Sequence, residues 1–422
     1  MRTRPQAQHY ATNDIVEIPS PSGTHTVTAA TQLDTSKRWL VLGSVLSSRI
    51  IYTVNWFNIS PALPLIALEL GIDRPTIGLL TSSFLLGAGI FQIPAGVLST
   101  RWGPKNTSQL GMLILSLSGI GEGFSPNFPF LFTARLFLGL GAALFFAPAI
   151  GVLTPLFKAE EEGFVLGLYN AMFNVGGALG LFAWAFLFEV WNWRLGLVLG
   201  GLIGLILVAV GQVVLPRDRL VRQNIGPIWP AIKNRNIILI AFGIIGIWGG
   251  VFTTSQLLPK FLNDAYQIPT GEAGLVASLI MFAAILGGPI GGRLSDKARR
   301  RKIFMIVPGF GVAIGLGLIG ASQPYQLWFL IPVIGFLDAI VFSTEYASAS
   351  QYPAVGKGNA TLAISMMNSA QILGSFGIPI AFAFLGYSSG WYFLGIVAAA
   401  LLVLLFWLQE PFKANSNAKL SS

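Results

Sequence analysis

Cysteine is absent from this 422-residue sequence, and its two histidines, His9 and His25, both fall in a polar N-terminal stretch. A disulfide framework, a thiol nucleophile and a cysteine metal site are excluded, as is a histidine metal centre or Ser-His relay inside the apolar body. Charge is scarce as well. Asp, Glu, Lys and Arg make up 10% of the residues, against the roughly 25% of an ordinary soluble domain. No Gly-x-x-x-x-Gly-Lys-Ser/Thr phosphate loop occurs, so direct nucleotide hydrolysis has no seat. No enzymatic constellation is left, and no cofactor or metal is expected.

What is present is apolar: 54% hydrophobic residues and a mean hydropathy of +0.69. Runs of about 17–25 apolar residues cross a hydrocarbon core of about 30 Å as helices. Twelve such runs are expected, at 39–64, 76–97, 107–123, 129–153, 163–188, 194–214, 236–258, 272–292, 303–321, 326–350, 358–385 and 390–409. They lack the period-two alternation of barrel strands. The expected class is an all-α membrane protein, multi-pass in the cell membrane. Residues 1–38 read as a disordered cytoplasmic tail without the apolar core of a signal peptide. Residues 39–214 form a first six-helix half, 215–235 ("LPRDRLVRQNIGPIWPAIKNR") a cytoplasmic linker, 236–409 a second half and 410–422 a cytoplasmic tail.

Basic residues set the orientation, because Lys and Arg in short loops stay on the cytoplasmic side. With the N-terminus inside, fifteen lie in inner loops and three, Arg74, Arg194 and Lys260, in outer loops. Both termini are therefore expected in the cytoplasm. The net charge of +9 is topological, and no nucleic-acid partner is implied.

The two halves resemble each other. "FQIPAGVLSTRWGPKN" at 91–106 has a relative in "LGGPIGGRLSDKARRRK" at 286–302, with Gly96, Leu98 and Ser99 aligned on Gly292, Leu294 and Ser295. At an offset of 198, Asn170 and Gly176 align with Asn368 and Gly374, and Trp193 with Trp391. Two parallel six-helix repeats joined by a basic linker describe a known transporter architecture.

On these residues the chain resembles the major facilitator superfamily, which implies twelve transmembrane helices in two six-helix repeats. Gly96, Leu98, Arg101, Gly103 and Lys105 match the superfamily's loop signature between helices two and three, with Thr100 where an Asp is usual. The second copy keeps Gly292, Asp296 and Lys297. In the family these loops latch the halves on the inner face, so these residues are gating candidates. The alternative is a plain positive-inside anchor.

The stretches "SSRIIYTVNWFNISPALPLI", "IGLLTSSFLLGAGIFQIPAGVLSTRWG" and "LLPKFLNDAYQIPTGEAGLVASL" resemble the anion:cation symporter type. There an Asp-Arg pair in helix one is typical, the Arg holding the anion; here it reads Ser48-Arg49. "RLFLGLG", beginning at Arg135, matches the family's Arg-x-x-x-Gly-x-Gly pattern. "NVGGALGLFAW" lacks the proline of drug-proton antiporters, and helices two and eight lack the arginines of nitrate porters.

Arg49 falls near the bilayer centre, where an arginine costs at least about 2.5–3.5 kcal/mol unless it faces a polar cavity or a partner. Tyr52 and Trp56 share its face. Arg49 is the candidate anion clamp; the competing reading pairs it permanently with a carboxylate such as Asp338. Arg135 is either a second cationic contact or a packing residue. Asp338 and Glu345, seven apart on one face of helix ten, are expected to be the only carboxylates inside spans. A membrane proton carrier needs a carboxyl that is sometimes neutral, which burial favours, so these two are the proton-coupling candidates. Their other reading is an interhelical hydrogen-bond network. Asn174, Gln256 and Asn368 complete the substrate-binding set with Tyr52, although such amides are also ordinary helix-helix contacts.

The expected function is a secondary transporter importing a small organic anion by alternating access. It is expected to act as a monomer, with protons as the coupling ion held open. An efflux carrier for hydrophobic solutes and a non-transporting sensor are the alternatives. The topology is checked by a single cysteine introduced in the 215–235 linker of this cysteine-free chain. It should be shielded from impermeant thiol reagents in intact cells, and ready labelling would invert the topology.

Overall fold

A computed structural model describes residues 35–217, 233–349, 351–352 and 356–412. Most of the predicted tails and linker, at 1–34, 218–232 and 413–422, lie outside the described residues. The described chain is helical, without strands. The first half comprises α1 (Thr35–Phe57), α2 (Ile59–Leu70), α3 (Arg74–Trp102), α4 (Pro104–Gly123), α5 (Phe128–Leu153), α6 (Ala159–Val190) and α7 (Trp193–Val214). The second comprises α8 (Arg235–Gly243), α9 (Ile245–Tyr266), α10 (Thr270–Ala298), α11 (Arg301–Leu318), α12 (Pro324–Ala349), α13 (Gly356–Gly374) and α14 (Gly377–Leu402).

Among the described residues, ten stretches are long and apolar enough to cross a membrane, three of them made of paired helices, α1 with α2, α8 with α9 and α13 with α14. The last, Ala363–Trp407, is 45 residues long and contains a break at Gly386, where φ is +74° and ψ 173°. That break divides the predicted runs 358–385 and 390–409. Helix α4, 20 residues long and more polar, fills the place of the run 107–123. Twelve crossings in two repeats are consistent with this architecture.

Local chemistry fixes the helix ends. Asp73 and Asn127 accept from the amides of Thr76 and Phe130, each at 3.0 Å, capping α3 and α5. Thr76 holds the exposed Asp73 carboxyl below its ordinary range. Gly103 takes φ +94° between α3 and α4, and Pro104 occupies the first turn of α4. The "WGP" of the loop signature is thus a sharp helix-to-helix turn that a side chain at Gly103 would strain.

The halves meet from mid-height to the end away from the chain termini. Ser369 Oγ donates to the Gly89 carbonyl at 3.1 Å, joining α13 to α3. Ser60 Oγ lies 2.9 and 2.8 Å from the Ser255 and Gln256 carbonyls, joining α2 to α9. The Gly271 amide at the start of α10 donates to Glu189 Oε1 at the end of α6, at 2.7 Å. At Gly274 a Cβ would collide with the Leu181 carbonyl and the Ala185 side chain, so glycine permits this close crossing of α10 and α6.

Because Gly386 occupies a backbone region that is essentially reserved for glycine, Gly386→Val should cost about 1–3 kcal/mol. A lowered thermal unfolding midpoint in detergent checks this, whereas an unchanged midpoint would mean that the turn is not constrained.

Candidate functional site

Arg49 lies on α1, fourteen positions past Thr35, and is 3% exposed. Its guanidinium carbon sits 4.7 Å from the Tyr52 ring centroid, 4.9 Å from Phe146, 4.5 Å from Tyr169 and 4.9 Å from Phe173. Helices α1, α5 and α6 together therefore box the cation in aromatic faces. Tyr52 and Trp56 share its face as predicted, their rings 5.6 Å apart. Tyr169 is held by its hydroxyl, which donates to the Phe146 carbonyl at 2.9 Å. Among the described residues no carboxylate pairs with Arg49, and its Nε and Nη1 have no hydrogen-bond partner. The permanent Arg49–Asp338 pair is thus not formed.

Cation–π contacts offset part of the burial cost, at about 0.5–2 kcal/mol each. They leave the directional N–H groups unmet, and each unmet buried donor costs about 1–3 kcal/mol. An anion with two oxygens would meet both.

The second half presents α12 and α13 to this region. Tyr346 lies within electrostatic reach of Arg49 and Tyr52, and its hydroxyl is 3.2 Å from Asn368 Oδ1, which accepts from it. Fully buried Glu345 accepts from Gln371 Nε2 at 2.9 Å. Asp338, two turns away on the same helix, is half-buried. Asn174 is half-buried on α6, four residues past exposed Asn170. Repeat-related Asn170 and Asn368 thus occupy unlike surroundings.

Arg135 is not among the residues gathered at Arg49. It reaches α1 six to seven residues further along, donating from Nη1 to the Asn55 carbonyl at 3.0 Å and from Nη2 to the Trp56 carbonyl at 2.7 Å. It also forms an ion pair with Glu122 at 3.2 Å, both side chains 1% exposed. Glu122 corrects the expectation that Asp338 and Glu345 are the only span carboxylates, since it lies one residue from the end of the run 107–123. Most of Arg135's hydrogen-bonding capacity is spent inside the first half, with Nε left without a partner among the described residues.

Gln256 joins the halves. Its Nε2 donates to the Trp56 carbonyl at 3.2 Å, so that one oxygen accepts from Arg135 of its own half and Gln256 of the other. Pro61 and Pro259 lack the amides that would serve the carbonyls four residues earlier, at Phe57 and Ser255. Ser60 Oγ serves the Ser255 carbonyl instead. Asn58 aligns with Gln256 and Pro61 with Pro259 at the same offset of 198, a signal available in the sequence and not used above.

The loop copies brace their own halves. Lys105 Nζ donates to the Gln212 and Leu215 carbonyls at 3.1 and 2.8 Å, tying α4 to the end of α7. Asp296 pairs with Arg301, whose Nη1 also donates to Ser295 Oγ at 2.5 Å. The Arg301 amide donates to Glu410 Oε1 at 2.7 Å. Lys297 and Arg101 are exposed, and Gly96 and Gly292 face open space. None of these contacts is the latch between halves that the family resemblance implies.

Residues 45–371 and 240–421 give two overlapping matches to the Major Facilitator Superfamily. The chain belongs to the Major Facilitator Superfamily. It is an integral membrane protein and a transporter, not an enzyme. A probable L-galactonate transporter of Escherichia coli is 25% identical, covering 81% of this chain and 83% of that protein. A nitrite extrusion protein of Bacillus subtilis is also 25% identical, covering 86% and 93%. A 4-hydroxybenzoate transporter of Pseudomonas aeruginosa is 24% identical, covering 80% and 84%. The fold is similar to that of a bacterial homologue of the human lysosomal transporter Spinster in its inward-facing, unoccupied conformation. The TM-score is 0.69 at 16% identity, covering 91% of this chain and 98% of that one.

For the major facilitator chain described here, the Arg135–Glu122 pair should behave as a unit. Glu122→Met strands a buried cation and should cost about 3–5 kcal/mol, whereas adding Arg135→Met should recover part of it. Unfolding midpoints of both variants check this; a double variant worse than the single would contradict the pairing.

Proposed function

We propose that this transporter imports a small organic anion, with Arg49 as the anion clamp. The observation that carries the reading is the buried guanidinium whose Nε and Nη1 lack partners and which no carboxylate neutralises among the described residues. Relatives named for L-galactonate, 4-hydroxybenzoate and nitrite, all anions in water, support the charge of the cargo. An organic anion is preferred over nitrite because no arginine falls between Pro75 and Thr100 of α3 or between Thr270 and Gly292 of α10. The aromatic walls around Arg49 also suit a carbon skeleton. Tyr52, Asn174 and Asn368 are the proposed companions of the clamp, while Gln256 holds the joint between α1 and α9.

In this reading residues 39–214 rock against 236–409 as a monomer, with both termini in the cytoplasm. The contacts between halves at the end away from the termini then correspond to an outer closure. The 96–105 and 292–297 loops are gating elements through the helix ends they brace. Export is the second reading, favoured by the relative named for nitrite extrusion. Proton symport is the proposed coupling, with Asp338 the proton site and Glu345 the next candidate. Asp338 is half-buried without an ion-pair partner among the described residues, which leaves it free to exchange a proton.

Arg49→Lys keeps the charge but loses the planar two-pronged fit. Binding of the transported anion should weaken roughly tenfold or more while the protein still inserts and folds, the worth of about one charge-assisted hydrogen bond. Wild-type affinity in the Lys variant would leave Arg49 as packing.

Asp338→Asn mimics a permanently protonated site. In vesicles it should still exchange anion across the membrane yet fail to concentrate it when the outside is made acidic. If wild-type uptake ignores the pH gradient, proton coupling is refuted. If the Asn variant concentrates anion normally, Asp338 is not the site.

A further inference from the structure

Between α12 and α13 lies a polar pair that the anion clamp does not use. Glu345 and Gln371 are both fully buried. The Gln371 amide nitrogen donates to Glu345 Oε2 at 2.9 Å, and Glu345 Oε1 and Gln371 Oε1 have no partner among the described residues. Each such oxygen in an apolar span carries an unmet desolvation cost. Neighbouring polar groups are committed elsewhere or at a distance. The Tyr346 hydroxyl donates to Asn368 Oδ1, Thr344 and Ser348 donate to carbonyls of their own helix, and Asp338, two turns away, acts on Glu345 electrostatically without a hydrogen bond between them. Tyr346 follows Glu345 on α12, its hydroxyl meets Asn368, one turn before Gln371 on α13, and it interacts electrostatically with both Glu345 and Arg49.

We propose that Glu345 and Gln371 form a hydroxyl subsite, so that the carried anion is a hydroxy acid, held by its carboxylate at Arg49 and by a hydroxyl at Glu345 Oε1 and Gln371 Oε1. This inference rests on the anion-clamp reading above. A hydroxyl is both donor and acceptor. It donates to either oxygen while Glu345 is a carboxylate. When Glu345 is a neutral acid, the hydroxyl accepts from that carboxyl and donates to Gln371 Oε1. The hydroxyl thus meets one of the two oxygens when Glu345 is ionised and both when it is neutral. An unsubstituted acid or an inorganic anion leaves the two oxygens bare, and a site built to hydrogen-bond a hydroxyl discriminates strongly against the analogue that lacks it.

The test uses the purified full chain and three matched pairs of probes: 4-hydroxybenzoate with benzoate, gluconate with hexanoate, and 3-hydroxybutyrate with butyrate. Dissociation constants are taken from ligand-dependent thermal protection. In the wild type at least one hydroxy acid should bind roughly tenfold or more tightly than its partner. In Gln371→Leu, and in the closer mimic Gln371→Met if the Leu variant does not fold, that ratio should fall to within about threefold. Equal protection by both members of every pair would overturn the hydroxyl subsite and leave the anion clamp standing. A ratio preserved in a folded Gln371 variant would overturn the assignment to this pair. Protection by no acid at all would overturn the anion reading itself, and the subsite with it.

Discussion

A cation with no counter-ion among the described residues, boxed by aromatic rings in a membrane-spanning helix, is the constraint around which the rest of the arrangement turns. Four ring faces surround the Arg49 guanidinium within 4.9 Å. They spread over α1, α5 and α6, so the helices of the first half must pack as they do for the charge to be tolerated at all. Rings stabilise charge but accept no strong hydrogen bond, so the site is stable enough to fold and unsatisfied enough to bind. A permanent carboxylate beside Arg49 would have removed that incentive. The chain does contain a buried arginine with such a partner, Arg135 with Glu122. The contrast between the two arginines is one of partners: Arg135 has a carboxylate and two backbone carbonyls, whereas Arg49 has aromatic faces.

Backbone satisfaction in lipid imposes the second constraint. Prolines at 61 and 259 deprive the Phe57 and Ser255 carbonyls of their helical amides; a side chain serves Ser255, and others converge on Trp56 beside Phe57. Ser60 serves Ser255, while Arg135 and Gln256 converge on Trp56. Because those donors come from both halves, the weak points of α1/α2 and α9 are also where the halves are joined. A movement of one half against the other must exchange these hydrogen bonds, which links the scaffold directly to alternating access.

Much of the fold was legible from hydropathy alone, since a run of apolar residues bounded by Gly, Pro or charge has few other readings. The division near 386 was visible, and Gly386 supplies it with a positive φ. Helices extend beyond the runs, as α1 and α2 do on either side of 39–64, because polar ends remain helical outside the hydrocarbon. Within the site, Arg49 and Tyr52 were legible because helical spacing puts them on one face. Phe146, Tyr169, Phe173 and Tyr346 were not, since they arrive from other helices and aromatic residues in apolar runs carry no distinguishing pattern. Glu122 was legible in principle but sits at the very edge of its run. The Asn58–Gln256 and Pro61–Pro259 correspondences needed only the repeat offset carried one helix further. The loop signature specifies a turn and a charge pattern, while the partners of Lys105 and Asp296 in this structure are set by the helix ends beside them.

The central claim is that Arg49 holds the cargo's anionic end, and locating a bound anion tests it most directly. An experimental structure of the full chain with 3-bromo-4-hydroxybenzoate, whose bromine marks the ligand by anomalous scattering, would settle the placement. The account predicts the carboxylate within hydrogen-bond distance of Arg49 Nε and Nη1, with the brominated ring among Phe146, Phe173 and Tyr346. A bromine peak elsewhere, with the Arg49 guanidinium still unpartnered in its aromatic box, would contradict it.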